Sequence, residues 1–393
     1  MLVVFDSHPV QYRVPIWQTM EAKVPQCLHV VYATDCSVKG HADTGFGQVI
    51  AWDEPLLSGY QYTILHSEKG KPLSGWGSLT GKGVKEIFDT LQPTAILLTG
   101  FNYQYDLIAY FHAFKRGIPV WLRCETQDEA NTRSFIKSSA RSLIYKLLYS
   151  KISKFFYIGE LNKSHYLKYG VSHHQLFPAR YATVDRFTSL NDQQKIERRI
   201  NSRIKAGITD THFVVGFSGK FISKKNPEIL FQMIEFLPNE IRSNLFLYFL
   251  GSGELETKLI EAANLVQEKY GIKTNFAGFV NQTQLVDHYL AMDLLILPSQ
   301  RMGETWGLVV NEAMQAGCSV IVSNAVGSSA DFKNWEQFRV FREGDVKELA
   351  DRVINLYSYP RSFHWAKDHL DIYSIEANAE VFLNMLNFEH ITR

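Results

Sequence analysis

Two glutamates eight positions apart, Glu304 and Glu312, flank a glycine turn in the stretch Pro298-Ser299-Gln300-Arg301-Met302-Gly303-Glu304-Thr305-Trp306-Gly307-Leu308-Val309-Val310-Asn311-Glu312-Ala313-Met314-Gln315-Ala316-Gly317. Carboxylates placed this way can accept hydrogen bonds from sugar hydroxyls. The apolar run Leu294-Leu295-Ile296-Leu297 before them reads as a buried strand, and Gly317 closes the helical pattern that follows. A strand, a glycine loop and a helix N-terminus make a phosphate cradle, because free amides and the helix dipole both favour an anion. Cradle and carboxylates together would hold a nucleotide sugar.

Other elements in the same half of the chain also fall at the ends of apolar runs. Gly216-Phe217-Ser218-Gly219-Lys220 closes one such run, and Lys224-Lys225-Asn226-Pro227 follows before a helical pattern. Lysines beyond a strand's carboxyl end can reach a ligand diphosphate, and Pro227 suits a first helical position. Leu250-Gly251-Ser252-Gly253-Glu254 is a strand-to-helix glycine turn, which ordinary turn chemistry would explain by itself. Phe276-Ala277-Gly278-Phe279-Val280 ends another strand, where backbone groups could meet a base. Asn324-Ala325-Val326-Gly327-Ser328-Ser329 comes after the next one. A single lysine or glutamate is ordinarily a solvated surface charge. Elements at successive strand ends converge where open α/β sheets bind ligands, which favours the nucleotide-sugar reading.

This order of motifs, over most of residues 212–330, resembles the retaining glycosyltransferases of family four, which have the GT-B fold of two facing Rossmann-like domains. The resemblance implies that Glu304 contacts the donor sugar and Glu312 the ribose. It also implies that Lys220 and Lys225 grip the diphosphate, Phe279 lies near the base, and Gly307, Leu308 and Val309 lie near the phosphates. Gly219 and Gly251 complete the implied donor site. Lys220 stands where the family usually has arginine, so the bidentate fork is lost while the charge is kept. Asn226 replaces the usual glycine. The last helical pattern, about Ile375 to Leu386, resembles the family's C-terminal helix that crosses back to the first domain.

The first half is less legible. Ser7-His8-Pro9-Val10-Gln11-Tyr12 follows the first strand, and similar openings occur in some transferases that build surface polysaccharides. His8 could contact donor or acceptor, or serve only a local turn. Arg123-Cys124-Glu125-Thr126 ends a strand where many family members carry a histidine near the reacting sugar, so Glu125 is a departure from the pattern. Asn102 and Tyr103 fall on the same expected cleft side. Residues 130–159 contain Arg133, Lys137, Arg141, Lys146, Lys151 and Lys154 without an acidic residue, interleaved with Phe135, Ile136, Leu143, Ile144, Leu147 and Leu148. A basic amphipathic helix can lie on anionic lipid, each basic residue contributing about 1 kcal/mol. A helix packed on the core with a solvated basic face is the commoner outcome of such periodicity.

To position these groups the chain alternates strands and amphipathic helices almost throughout, the pattern of parallel α/β sheets. Strands are expected near Leu2–Phe5, Leu28–Ala33, Tyr62–Leu65, Ala95–Thr99, Val120–Arg123, Phe155–Ile158 and Gln175–Phe177. The clearest helices of this half are Gly83–Leu91, Gln104–Lys115 and Ser134–Tyr149, and Thr34 to Tyr60 reads as loop. Gly70 to Gly83, rich in glycine, is either a substrate loop or a plain connector. The polar segment Thr188–Lys195 marks a junction, after which the pattern restarts with a strand at Phe213–Phe217 and a helix at Pro227–Phe236. It ends with a strand at Val320–Val322. At 393 residues two domains are expected: 1–187 with the C-terminal helix 372–393, and 188–371.

The totals exclude several classes. With 46% hydrophobic and 21% charged residues the chain is globular, and its net charge of +1 does not suit bulk nucleic-acid binding. Cys27, Cys36, Cys124 and Cys318 lack the paired spacing of a zinc site or disulfide framework. No apolar run approaches the roughly 20 residues that span a bilayer, and the N-terminus lacks the basic flank of a signal peptide. A cytoplasmic protein is expected, peripheral on the membrane at most, through 133–154. No Asp-x-Asp triplet occurs, so no metal or other cofactor is expected, with lysines and helix amides stabilising the leaving diphosphate. The resulting expectation is a metal-independent, retaining glycosyltransferase. It would move a sugar from a UDP-, GDP- or ADP-linked donor to a saccharide or lipid-linked saccharide. A catalytically silent GT-B partner and a GT-B sugar-nucleotide epimerase are the alternatives.

Overall fold

Runs of three to seven mostly apolar and β-branched residues, too short for stable helices, form the strands of two parallel sheets in this computed structural model. It describes residues 1–38, 41–43, 48–50, 54–66, 75–131 and 135–391. Gly70 and Arg133 therefore lie outside the described residues, as do the side chains of Phe135, Ile136 and Lys137.

The first half contributes strands β1 (Leu2–Asp6), β2 (Leu28–Thr34), β3 (His41–Asp43), β4 (Gln48–Ile50), β5 (Gln61–His66), β6 (Ala95–Leu98), β7 (Val120–Leu122), β8 (Lys154–Tyr157) and β9 (Leu176–Pro178). Seven of them form one sheet in the order β5-β2-β1-β6-β7-β8-β9, while β3 and β4 pair separately as an antiparallel hairpin. That hairpin lies in the stretch expected to be loop. The second half contributes β10 (Phe213–Ser218), β11 (Leu245–Leu250), β12 (Lys273–Phe276), β13 (Leu294–Leu297), β14 (Ser319–Ser323) and β15 (Phe338–Phe341), in the order β12-β11-β10-β13-β14-β15. Strand order reverses at β1/β6 in one sheet and at β10/β13 in the other. These are the switch points where open α/β sheets leave a crevice beyond the strand ends.

Several expectations change in detail. Thr188–Lys195 is only partly linker: Asn191 accepts from Gln194 N at 2.9 Å and caps a helix over Asp192–Lys205. The expected Pro227–Phe236 helix is Ile229–Gln232 followed by a tighter turn at Met233–Phe236, cut short before Pro238. The second sheet does not end at Val322, because β15 and a helix over Val346–Tyr357 extend it.

The basic segment also differs. In the helix Phe135–Tyr149, Arg141 turns inward, pairing with Asp128 and lying 4.5 Å over the Tyr145 ring. Lys154 lies 4.9 Å over the Trp121 ring. These two charges are therefore not on a solvated face. Burial would raise the pKa of Asp128, but hydrogen bonds from His165, Lys168 and Arg141 hold it below the ordinary carboxylate range. The exposed face of the helix carries Leu143, Ile144 and Leu147, open to solvent at 62%, 56% and 64%, beside the exposed Lys146.

The last helix runs from Ile375 to Ile391 and packs on the helix Val14–Lys23 of the first half. Phe382 is fully buried, its ring centroid 4.4 Å from Phe156 and 5.8 Å from Trp17. Phe382→Ala is expected to cost about 3–5 kcal/mol. Urea unfolding measures it, and a loss under about 1 kcal/mol would show that this helix is not part of the first half's core.

Candidate active site

β10 and β13 are neighbours, so the turns that follow them share one edge of the sheet. After Ser218 the chain turns at Gly219 (φ +144°) into Lys220, and a short helical turn, Ser223–Lys225, follows. Gly219 N donates to Leu250 O at 2.9 Å, and Gly251 N donates to Gly278 O at 2.8 Å. The strand-end glycines of β10, β11 and β12 thus form a single ledge. No other residue suits position 251, where a Cβ would lie 1.9 Å from Gly219 O.

Glu304 is 8% exposed and sits at the centre of the site. Lys225 Nζ pairs with its carboxylate, and Ser299 Oγ donates to Oε2 at 3.1 Å. Lys224 Nζ donates to Gly303 O at 3.0 Å. Burial by itself would raise the Glu304 pKa. The charge and hydrogen bond of Lys225, with help from Lys224 and Ser299, bring it below the ordinary glutamate value. Burial, with Lys225 and Lys220 nearby, lowers the pKa of Lys224 against the opposing pull of Glu304. The lysines therefore form one positive cluster, with Lys220 at its partly exposed edge.

Glu312 is held differently. The helix Val309–Gln315 starts just after Gly307 (φ +90°), where a Cβ would lie 2.5 Å from Leu297 Cδ2. Leu308 and Val309 form its half-buried first residues. Glu312, 7% exposed, accepts from Tyr289 OH at 2.7 Å. Tyr12 OH, from the loop after β1, reaches Glu312 Oε1 at 3.4 Å, and Gln282 Nε2 donates to Tyr12 OH at 3.4 Å. Burial pushes the Glu312 pKa up to about 7, opposed by the Tyr289 hydroxyl, Arg186 and Tyr12. One glutamate is thus fixed as an anion while the other titrates near neutrality. Phe279 lies half-buried at the end of β12.

The first half meets this edge through the segments after β1 and β7. Asp6 is fully buried and accepts from Ser7 N at 2.8 Å and Thr99 Oγ1 at 3.1 Å, with Arg13 Nε 3.3 Å away. It anchors the loop in which His8 Nδ1 and Ser7 Oγ hydrogen-bond at 2.9 Å. Glu125 accepts from Tyr181 OH at 2.6 Å. Arg123, fully buried, lies 5.2 Å over the Tyr181 ring. Further along, Gln127 Nε2 donates to Glu304 O at 3.3 Å, and Gly303 N donates to Ala130 O at 2.8 Å. Asn102 and Tyr103 do something else: their amides donate to Asp106 Oδ2 at 2.8 and 2.9 Å and open the helix Gln104–Lys115.

Lys225, Lys224 and the Glu304 loop are brought together, with Lys220 near enough to Lys224 to act on its charge, while Glu312 faces Tyr12 and Tyr289. Tyr12, Lys224 and Ser299 fall within the motifs of the sequence without an assigned contact, whereas Gln127, Tyr181 and Tyr289 were not anticipated. Nothing in the spacing links the tyrosines to the carboxylates they cap. A larger cavity, about 970 Å³, lies between the helix Val14–Lys23 and the two segments around 183–195 and 363–376. It includes none of the lysines or glutamates of the site.

The Glu312 pKa has a testable consequence. Folded protein keeps the Glu312 proton up to about pH 7, whereas the unfolded chain releases it near 4.5. Stability contributed by the protonated form is thus complete below the unfolded value and is lost as pH rises through the folded one. Wild type should lose stability relative to Glu312→Gln between about pH 5 and about pH 8. Urea midpoints at the two pH values measure this, and an unchanged difference would refute the assignment.

Comparison with known proteins shows what the chain is similar to. Residues 198–367 match the family model of glycosyl transferases group 1. An uncharacterized glycosyltransferase of Methanocaldococcus jannaschii is 33% identical over 201 residues, 46% of this chain and 49% of the relative. A D-inositol 3-phosphate glycosyltransferase of Corynebacterium jeikeium is 31% identical over 150 residues, 37% of this chain and 34% of the relative. The chain thus spans half or less of the length of these curated relatives. The solved structure of Anabaena HepE in complex with UDP-glucose is similar in fold, with a TM-score of 0.67 at 14% identity over 98% of this chain and 99% of that one. Residues 198–367, with Lys220, Lys225, Glu304 and Glu312 among them, thus match the glycosyl transferases group 1 model, and the chain has the GT-B fold of its structural neighbours.

Proposed function

We propose that the protein is a retaining glycosyltransferase that moves a sugar from a nucleotide-sugar donor to a hydroxyl of a saccharide acceptor. The observation that carries this reading is the buried Lys225–Glu304 pair at the β10/β13 switch point, with Lys220 beside it and Glu312 on the next helix. In the proposed division of labour, residues 188–371 hold the donor and residues 1–187 face the acceptor. Glu304 accepts from the donor sugar's hydroxyls and Glu312 from the ribose, displacing Tyr12. Phe279 borders the base, and the amides of Gly307, Leu308 and Val309 lie along the phosphates.

The chemistry asked of the protein is electrostatic. As the sugar–phosphate bond breaks, negative charge builds on the departing diphosphate, and Lys220 and Lys225 are the cations placed to stabilise it. This proposal assigns that role to side chains and amides rather than to a metal ion. Same-face attack by the acceptor hydroxyl, with its proton passing to the leaving phosphate, would retain the anomeric configuration. Glu125 and His8 are the groups of the first half proposed to face the reacting sugar. The HepE structure, which is a complex with UDP-glucose, supports a nucleotide-sugar donor. A silent GT-B partner would not need an ionised Glu304, and an epimerase would convert the donor without an acceptor and show no acceptor-dependent nucleotide release.

A lipid-linked acceptor is the proposed form of the substrate, met at the membrane surface. No helix among the described residues is long and apolar enough to cross a membrane. Leu143, Ile144 and Leu147, exposed beside Lys146 and Lys151, would enter the lipid boundary from the side.

Glu304→Ala and Lys225→Ala should each lower acceptor-dependent nucleotide release by about 100-fold or more, with Glu312→Ala acting mainly on donor affinity. Near-normal turnover in the first two variants would overturn the site. Thermal shifts with UDP-, GDP- and ADP-sugars would identify the donor, since a bound ligand raises stability by mass action. For the membrane surface, flotation with anionic vesicles should capture the wild type and lose the Leu143→Asp/Leu147→Asp variant. Equal flotation of both would remove that surface from the proposal.

A further inference from the structure

The helix Glu160–Lys168 of the first half begins at Gly159, which has no side chain to cap it. Its first amide, Glu160 N, donates instead to Asp331 Oδ2 at 3.0 Å, a carboxylate from the other half of the molecule. A carboxylate at a helix N-terminus is favoured by the free amides and the dipole together. Asp331 is itself held, because its Oδ1 accepts from Tyr373 OH at 3.1 Å, in the segment that crosses back toward the first half.

The same place carries a tight steric fit. Trp306, 2% exposed, covers Gly159 so closely that a Cβ there would lie 2.3 Å from Trp306 Cζ3 and 2.8 Å from Asp331 Oδ2. The Gly159 backbone is extended, so glycine is required here by space and not by conformation. Trp306 stands two residues after Glu304. Its Nε1 donates to Asn311 Oδ1 at 2.8 Å, and Asn311 Nδ2 donates to Tyr181 O at 3.2 Å, back in the first half. Asn311 precedes Glu312, and the Tyr181 hydroxyl binds Glu125. One indole therefore touches the loop of Glu304, the helix of Glu312 and the strand ends of the opposite half.

We infer that Gly159, Asp331 and Trp306 form a docking contact that sets the closed position of the cleft and thereby positions Glu304 and Glu312 against the first half. Gly159 and Asp331 are positioning residues in this scheme, acting through Trp306 without touching the donor. The turnover part of the inference rests on the proposed transfer activity, whereas the closure part does not.

The test compares full-length wild type, Gly159→Ala, Asp331→Ala and Asp331→Asn. In solution scattering, Gly159→Ala and Asp331→Ala should show a larger radius of gyration. Both should keep wild-type affinity for whichever of UDP, GDP or ADP stabilises the wild type, while kcat falls about 10- to 100-fold. Asp331→Asn keeps an acceptor oxygen for the Glu160 amide and should restore compactness and kcat. Unchanged dimensions in Gly159→Ala would overturn the inference, as would equal loss in Asp331→Ala and Asp331→Asn. A drop in melting temperature without change in dimensions or kcat would assign the contact to packing alone and likewise overturn it. If wild type transfers no sugar, the proposed activity fails while scattering still decides the docking contact.

Discussion

An ionised carboxylate at 8% exposure survives only beside a matching cation, and the pairing of Glu304 with Lys225 is the interaction on which this site depends. The two residues are 79 positions apart, and no local structure can join them. They meet because β10 and β13 are adjacent in a parallel sheet whose turns emerge on the same edge. The glycine ledge at Gly219 and Gly251 lets those turns lie low enough for the lysines to reach over it. Removing the partner would leave a buried charge uncompensated, so the pair orders the loop as well as the chemistry.

The second glutamate shows how environment separates two like groups. Glu304 has lysines on one side and a serine hydroxyl on another, which favours the anion. Glu312 has two tyrosine hydroxyls and the charge of Arg186 but, among the described residues, no lysine partner, and burial prevails there, moving its titration to about pH 7. One of those tyrosines, Tyr12, comes from the first half. In the proposed donor complex that hydroxyl would yield to a ribose hydroxyl, which would couple donor entry to the loop carrying His8. Tyr181 plays a parallel part on the other side, binding Glu125 through its hydroxyl and Asn311 through its carbonyl. The cleft is thus crossed by hydrogen bonds from polar side chains, which can be exchanged for those of a ligand with little net change in free energy.

Away from the cleft, Asp128 works as a hub that fastens the helix Phe135–Tyr149. It gathers Arg141, His165, Lys168 and Tyr169 around one carboxylate. Drawing Arg141 inward leaves Leu143, Ile144 and Leu147 as the outward ridge. The segment just before this helix, at Ala130, also bonds the loop of Glu304, so the ridge and that loop share one support.

The order of strands and helices, the glycine turns and the spacing of Glu304 and Glu312 were legible in the sequence, because each depends on residues close in the chain. Periodicity reports which face is buried, and glycine reports where backbone must turn or pack closely. The resemblance to family four extended this to Lys220 and Lys225. The hairpin β3–β4, the helix Asp192–Lys205 and the strand β15 were less legible, since their patterns are short or predominantly polar. Which tyrosine caps which carboxylate, the inward turn of Arg141 and the contact between Gly159, Trp306 and Asp331 were decided only by tertiary structure. Each joins groups from different elements, some from opposite halves of the molecule, and their strength comes from burial. Burial belongs to the assembled fold, and no local sequence spacing encodes it.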